Sequence, residues 1–117
     1  GENISSIEVE REVKAFAAVE DAAAVAVPSE HGDQDILVVV SPLGSAEIVP
    51  EELIEFLRAR MPHFMVPRYV RVMHEMPRTP SNKIRKADLR SEGVTADTWD
   101  REAAGIAIRA ERFGSVA

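Results

Sequence analysis

The chain's pattern predicts an α+β domain: a small three-stranded sheet with a hairpin, flanked by two or three helices, plus a C-terminal helical tail. Three observations carry that expectation. Apolar residues recur at helical spacing in separate stretches, the β-branched run Ile36 to Val40 has the length of a buried strand, and prolines stand where one element gives way to the next. The resulting order, helix–strand–strand–helix–strand, calls for helices packed on one sheet.

Ser5-Ser6-Ile7-Glu8 fits a capping box, in which the Ser5 hydroxyl accepts an orphan backbone N–H and Glu8 reaches back to the cap. The helix it opens sets Val9, Val13, Phe16 and Ala17 at helical spacing. Alternating Ala23, Val25 and Val27 read as a strand ended by Pro28, and residues 28–34 as a polar turn. Ile36 to Val40 then makes the second arm of a hairpin. Pro50 opens the next helix where its missing N–H costs nothing, with Glu51 and Glu52 in the first turn and Arg58 and Arg60 in the last, matching the helix dipole. Leu53, Phe56, Leu57 and Met61 form its apolar stripe, and Pro62 stops it. A third strand covers about Arg68 to Met73, and a short basic helix follows Lys83. After the break at Ser91-Glu92-Gly93, Trp99, Ala103, Ile106, Ala110 and Phe113 predict an amphipathic tail helix from Asp97, with Trp99 as a packing anchor.

A length of 117 residues suits one domain. The formal charge of -6 argues against a general nucleic-acid binder, whose affinity for phosphate rests on clustered Lys and Arg. Nine of the fourteen Lys and Arg nevertheless fall from Arg58 through Arg90, so a local anion site is expected there. There is no cysteine, hence no disulfide and no thiolate metal site. His31, His63 and His74 lack metal-ligand spacing, and Asp33 and Asp35 beside Gly32 lack the oxygen ladder of a calcium loop, so no metal site is expected. The longest apolar stretch is too short for a membrane span and no signal pattern opens the chain, which reads as soluble and cytoplasmic. Gly1 in place of Met, leading at once into an organised segment, suggests a piece of something longer.

The segment with the most chemistry runs from Pro77 to Arg90. It places Lys83 on a proline-bounded loop between a strand and a basic helix, and a lysine ammonium is a compact charge on a flexible stem that reaches a carboxylate and a phosphate together. Most lysines are merely solvated. Here Asn82 tolerates a left-handed backbone and can turn the loop sharply, while Pro77 and Pro80 restrict it before anything binds. Gly1-Glu2-Asn3-Ile4-Ser5, on physics alone, is a glycine followed by a helix cap.

Taken together, Gly1 to Glu10 and Pro77 to Arg90 resemble the C-terminal domain of the adenylate-forming (AMP-forming) acyl-CoA synthetase family, over about residues 1–90. Pro77, Thr79, Lys83, Ile84, Lys86, Leu89 and Arg90 match that family's last core motif in order and spacing, and Ala26-Val27-Pro28 and Val66-Pro67-Arg68-Tyr69-Val70 are similar too. The tail, with Val94-Thr95-Ala96-Asp97-Thr98-Trp99, resembles the carnitine- and crotonobetaine-CoA ligase-like branch.

The resemblance implies that residues 1–90 are a mobile lid domain; residues 91–117, outside the common domain, are expected from their apolar spacing to form a C-terminal helical extension. It implies a two-step reaction: a carboxylate attacks the α-phosphate of ATP to give an acyl-adenylate and pyrophosphate, and the CoA thiol then displaces AMP. Lys83 would be the catalytic lysine of the first step, bridging carboxylate and phosphate. Gly1, Glu2, Asn3 and Ile4 would form the loop lining the pantetheine channel in the second. The residue before the lysine is commonly glycine in this family and is Asn82 here. The partners implied are a large N-terminal domain, a carboxylic acid, ATP and CoA, with Mg2+ accompanying ATP outside this domain and no cofactor bound by this domain alone. The chain by itself is therefore expected to be inactive. Two other readings stand beside this one: a free-standing binding or interaction module of the same fold without catalysis, and a fragment of a carrier-protein-dependent adenylation domain.

Overall fold

The computed structural model describes residues 4–29 and 32–106, the side chains of Ile4 and Ser5 excepted. Its elements are α1 (Ile4–Lys14), β1 (Val19–Pro28), β2 (Gln34–Pro42), α2 (Pro50–Arg58), β3 (Tyr69–Val72), α3 (Lys86–Glu92) and β4 (Trp99–Asp100), with a 3-10 turn at His63–Met65. They form one sheet in the order β1-β2-β3-β4. The hairpin is present, with β1 antiparallel to β2 and Ala24 opposite Val38. β3 joins β2 in parallel, which the intervening α2 permits.

Both faces of this sheet are covered, and the sequence of β2 shows why. Leu37, Val38, Val39 and Val40 are all 0% exposed, because successive side chains point to opposite faces and each face meets a helix. Val38 and Val40 pack with Ala22 and Ala24 of β1, Val9 and Val13 of α1, and Leu53, Ile54 and Leu57 of α2. Leu37 and Val39 pack with Ala23, Val25 and Val27 of β1, Tyr69 of β3, Met76 of the following segment, and Leu89 of α3. So α1 and α2 lie on one face, and α3 with the segment leading to it lies on the other.

α2 starts at Pro50 as expected, and its buried stripe is Leu53, Ile54 and Leu57, with Phe56 half-buried against Phe16, ring centroids 5.2 Å apart. α1 already includes Ile4, one residue before the cap expected at Ser5, and helix ends commonly shift by that much. No helix of the described residues is long and apolar enough to cross a membrane.

The sheet has four strands where three were expected, and the helix expected from Asp97 does not form over the described part of the tail. Trp99 and Asp100 instead pair antiparallel with Val70 and Tyr69, and residues 101–105 are turns. The β3 edge offers Trp99 and Asp100 backbone partners, and Trp99 and Ile106 still pack on the first core cluster. Of the stripe residues described, Trp99 and Ile106 are packed without a helix and Ala103 is exposed. Ala110 and Phe113 lie outside the described residues.

Candidate functional site

Beyond β3 the chain crosses to the α3 face and folds into a small hairpin. Arg78 and Ile84 form an antiparallel bridge, the Thr79 N–H donates to the Lys83 carbonyl at 2.8 Å, and the Asn82 N–H donates to the Thr79 carbonyl at 2.8 Å. The Lys83 N–H donates to the Thr79 hydroxyl at 3.1 Å, which itself lies 3.0 Å from the Ser81 hydroxyl. Asn82 closes the turn with φ 71°, and among the described residues it is the one non-glycine at positive φ. That conformation strains most side chains and is tolerated by asparagine. Ile84 packs toward the second core cluster. Lys83 is left exposed at the end of a tethered turn.

One ion pair holds this hairpin to the edge strand, and a second joins the start of α3 to α1. Arg78 donates to the Asn82 carbonyl at 3.1 Å and to Asp21 Oδ2 at 2.8 Å, while Asp21 Oδ1 accepts the Ala22 N–H. At the start of α3, the Lys86 ammonium pairs with Glu10 Oε2, which also accepts the Ala24 N–H at 2.8 Å.

Most of the cations from Arg58 to Arg90, the stretch in which a local anion site is expected, are paired with carboxylates in the fold. Arg58 pairs with Glu55, Arg60 with Glu12, Arg85 with Asp88, and Arg71 with Glu92 at 2.5 Å. The Glu92 carboxylate raises the Arg71 guanidinium above its ordinary value, against burial that lowers it. Arg68 is buried against Asp35 and Asp100, with Glu102 at 3.5 Å. With Arg78 and Lys86 committed as above, Lys83 and Arg90 are the cations of this stretch without a carboxylate partner among the described residues. Arg58 and Arg85 take carboxylates three residues away, while Arg60, Arg68, Arg71, Arg78 and Lys86 take theirs from distant parts of the chain, which a local count of charge does not show.

A cleft of about 360 Å³ opens between Asp35, His63, Phe64, Arg68 and Arg101. It lies at the far end of β2 from Ser41, the partner of Asp21. Among the described residues no three His, Asp or Glu side chains converge.

Of the residues singled out by sequence, Lys83 is placed in full and Ile4 opens α1; Gly1, Glu2 and Asn3 lie outside the described residues. The lysine and the loop before α1 are therefore not brought together by any described contact. Sequence reasoning missed Glu10 and Asp21. Glu10 follows Val9 on an amphipathic helix and looks like a solvated charge, and only the identification of β1 as an edge strand marks either residue.

The chain matches the family of the AMP-binding enzyme C-terminal domain over residues 8–83. It is 37% identical over 100 residues to the peroxisomal trans-cinnamate:CoA ligase of Petunia hybrida, covering 86% of this chain and 18% of that protein. To the peroxisomal butyrate–CoA ligase of Arabidopsis thaliana it is 42% identical over 93 residues, covering 77% and 16%. Among solved structures, the amide bond synthetase of Marinactinospora thermotolerans matches with a TM-score of 0.71 at 28% identity, over 77% of this chain and 18% of that one. An acyl-CoA synthetase of Brucella canis matches with a TM-score of 0.69 at 28% identity, over 74% and 17%. The chain spans less than a fifth of these relatives' length. Their names cover an aromatic and a short-chain acid, so the carnitine-like branch is not singled out. With the family match covering most of the folded residues and the sheet and helices agreeing with it, this chain belongs to the AMP-binding enzyme C-terminal domain family.

Proposed function

We propose that the chain is the mobile C-terminal lid of an ATP-dependent, AMP-forming acid–CoA ligase, and that Lys83 supplies the positive charge of its adenylation step. One observation carries this reading: an exposed ammonium without a carboxylate partner among the described residues stands on a hairpin already fixed by its own hydrogen bonds, among cations that are nearly all neutralised. Such a group is free to act on a ligand and needs little ordering to do so.

In adenylation, a carboxylate oxygen attacks the α-phosphorus of ATP and pyrophosphate leaves. Both reactants are anionic, so a cation where they converge offsets their repulsion and stabilises the charge that develops on the phosphoryl oxygens. Lys83 acts as an electrostatic clamp and moves no proton. In the second step the CoA thiol attacks the acyl carbonyl and AMP leaves, with the lid turned so that Gly1, Glu2, Asn3 and Ile4 line the pantetheine path; Gly1 has no side chain to obstruct it. The lid proper is residues 1–90, and the segment after it closes the β3 edge. Adenine, acyl and Mg2+-ATP sites belong to the large N-terminal domain, so this chain alone does not turn over.

The test is made in the full-length ligase. Lys83→Ala is expected to slow ATP–pyrophosphate exchange by about 10²- to 10³-fold, the scale of removing one transition-state charge contact. Thioester formation from pre-synthesised acyl-adenylate and CoA should stay within about threefold of wild type. Equal loss in both half-reactions overturns the assignment.

A further inference from the structure

Although α1 and α3 cover opposite faces of the sheet, a side chain from each meets the other at the β1 edge. β1 has β2 on one side only, so its outward backbone groups face no strand. Glu10 of α1 occupies that edge: its Oε2 accepts the Ala24 N–H at 2.8 Å and receives the Lys86 ammonium of α3. Their side chains are 16% and 15% exposed, which separates this pair from solvated surface bridges of little worth.

Lys86 follows directly on the Lys83 hairpin. The Arg85 N–H donates to the Pro77 carbonyl at 2.8 Å and Ile84 bridges to Arg78, so a displacement of Lys86 passes along this stiff segment to Lys83. We infer that Glu10 is a positioning residue for Lys83: it clasps the two layers at the β1 edge, so that the hairpin bearing the lysine keeps its place relative to α1 while the lid turns. Glu10 touches no substrate in this role. The inference rests on Lys83 serving adenylation, where a 1 Å misplacement costs on the order of 10²-fold.

Glu10→Gln in the full-length ligase retains an acceptor for the Ala24 N–H and removes the charge that holds Lys86. Val9 and Val13, both fully buried, keep α1 in place. ATP–pyrophosphate exchange should fall about tenfold in kcat with KM for ATP within about twofold, while thioester formation from acyl-adenylate and the thermal midpoint stay near wild type. Lys86→Met, breaking the pair from the other side, should reproduce the loss. The double variant Glu10→Gln/Lys83→Ala should be no slower than Lys83→Ala alone. Wild-type exchange in Glu10→Gln, multiplicative losses in the double variant, or a parallel fall of both half-reactions and the thermal midpoint in both single variants overturns the role. If Lys83→Ala itself leaves exchange intact, the assignment of Lys83 has failed; if only the Glu10 result fails, that assignment stands.

Discussion

Arg78 reaches from the Lys83 hairpin to Asp21 at 2.8 Å, and Asp21 sits where the β1–β2 register slips between Val19 and Asp21. The slip gives the carboxylate two tasks, since its other oxygen accepts the Ala22 N–H of its own strand. A local irregularity of the edge strand thus anchors a loop that lies far away in sequence. With side chains 32% and 26% exposed, the pair is partly screened. Asp21→Asn should therefore cost the 117-residue chain no more than about 1 kcal/mol in urea unfolding. In the full-length ligase it should slow ATP–pyrophosphate exchange more than thioester formation. An exchange rate equal to wild type would show that Arg78 needs no anchor to hold the hairpin.

At the turn itself, Asn82 has φ 71°, a region that costs ordinary L-residues about 1–2 kcal/mol. Glycine avoids that cost, so Asn82→Gly should leave urea unfolding within about 0.5 kcal/mol of wild type. Asn82→Val meets it in full with a stiff, β-branched side chain, and should destabilise the chain by about 1–2 kcal/mol. Since the strain falls beside Lys83, the valine variant should also slow exchange in the full-length enzyme. Equal stability of the glycine and valine variants would mean that the turn has another conformation in solution.

Asn82 and Lys83 were legible because a turn is specified by neighbours: two prolines, an asparagine and the apolar Ile84 lie within a few residues of one another. The same holds for the β1–β2 hairpin and for α2, whose proline start and apolar stripe are local signals. β4 was not legible, because Trp99 and Asp100 read as helix by spacing and become strand by pairing with the β3 edge. The pairing of the cations around Arg68 was hidden for a related reason. Arg68 meets Asp35 and Asp100, which are 33 and 32 residues away, and no local charge count foresees that neutralisation. Glu10 needed still more, the knowledge that β1 is an edge and that two helices meet around it.

Arg68 and Asp100 also give the fold a defined acid response. Arg68 Nε donates to Asp100 Oδ1 at 3.0 Å and Nη2 to Oδ2 at 3.2 Å, a two-pronged pairing, and the Glu102 N–H adds a bond at 2.9 Å. Burial pushes the Asp100 carboxyl up, but these hydrogen bonds and the Arg68 charge outweigh it and hold the group below its ordinary value. In the unfolded chain the same carboxyl titrates at about 3.9. With the folded value the lower one, the unfolded state binds more protons as pH falls. The contribution is thus complete above that pH and is lost as the pH drops through the depressed folded value. The urea midpoint of the chain should hold steady down to about pH 5 and fall below about pH 4. Asp100→Asn should lower stability by about 1–2 kcal/mol at neutral pH, and its deficit should shrink as the pH falls below the unfolded value of about 3.9 toward the depressed folded one. A deficit that stays constant over this range would mean that Asp100 works as a hydrogen-bond acceptor alone, with no share of its stabilisation coming from the charge facing Arg68.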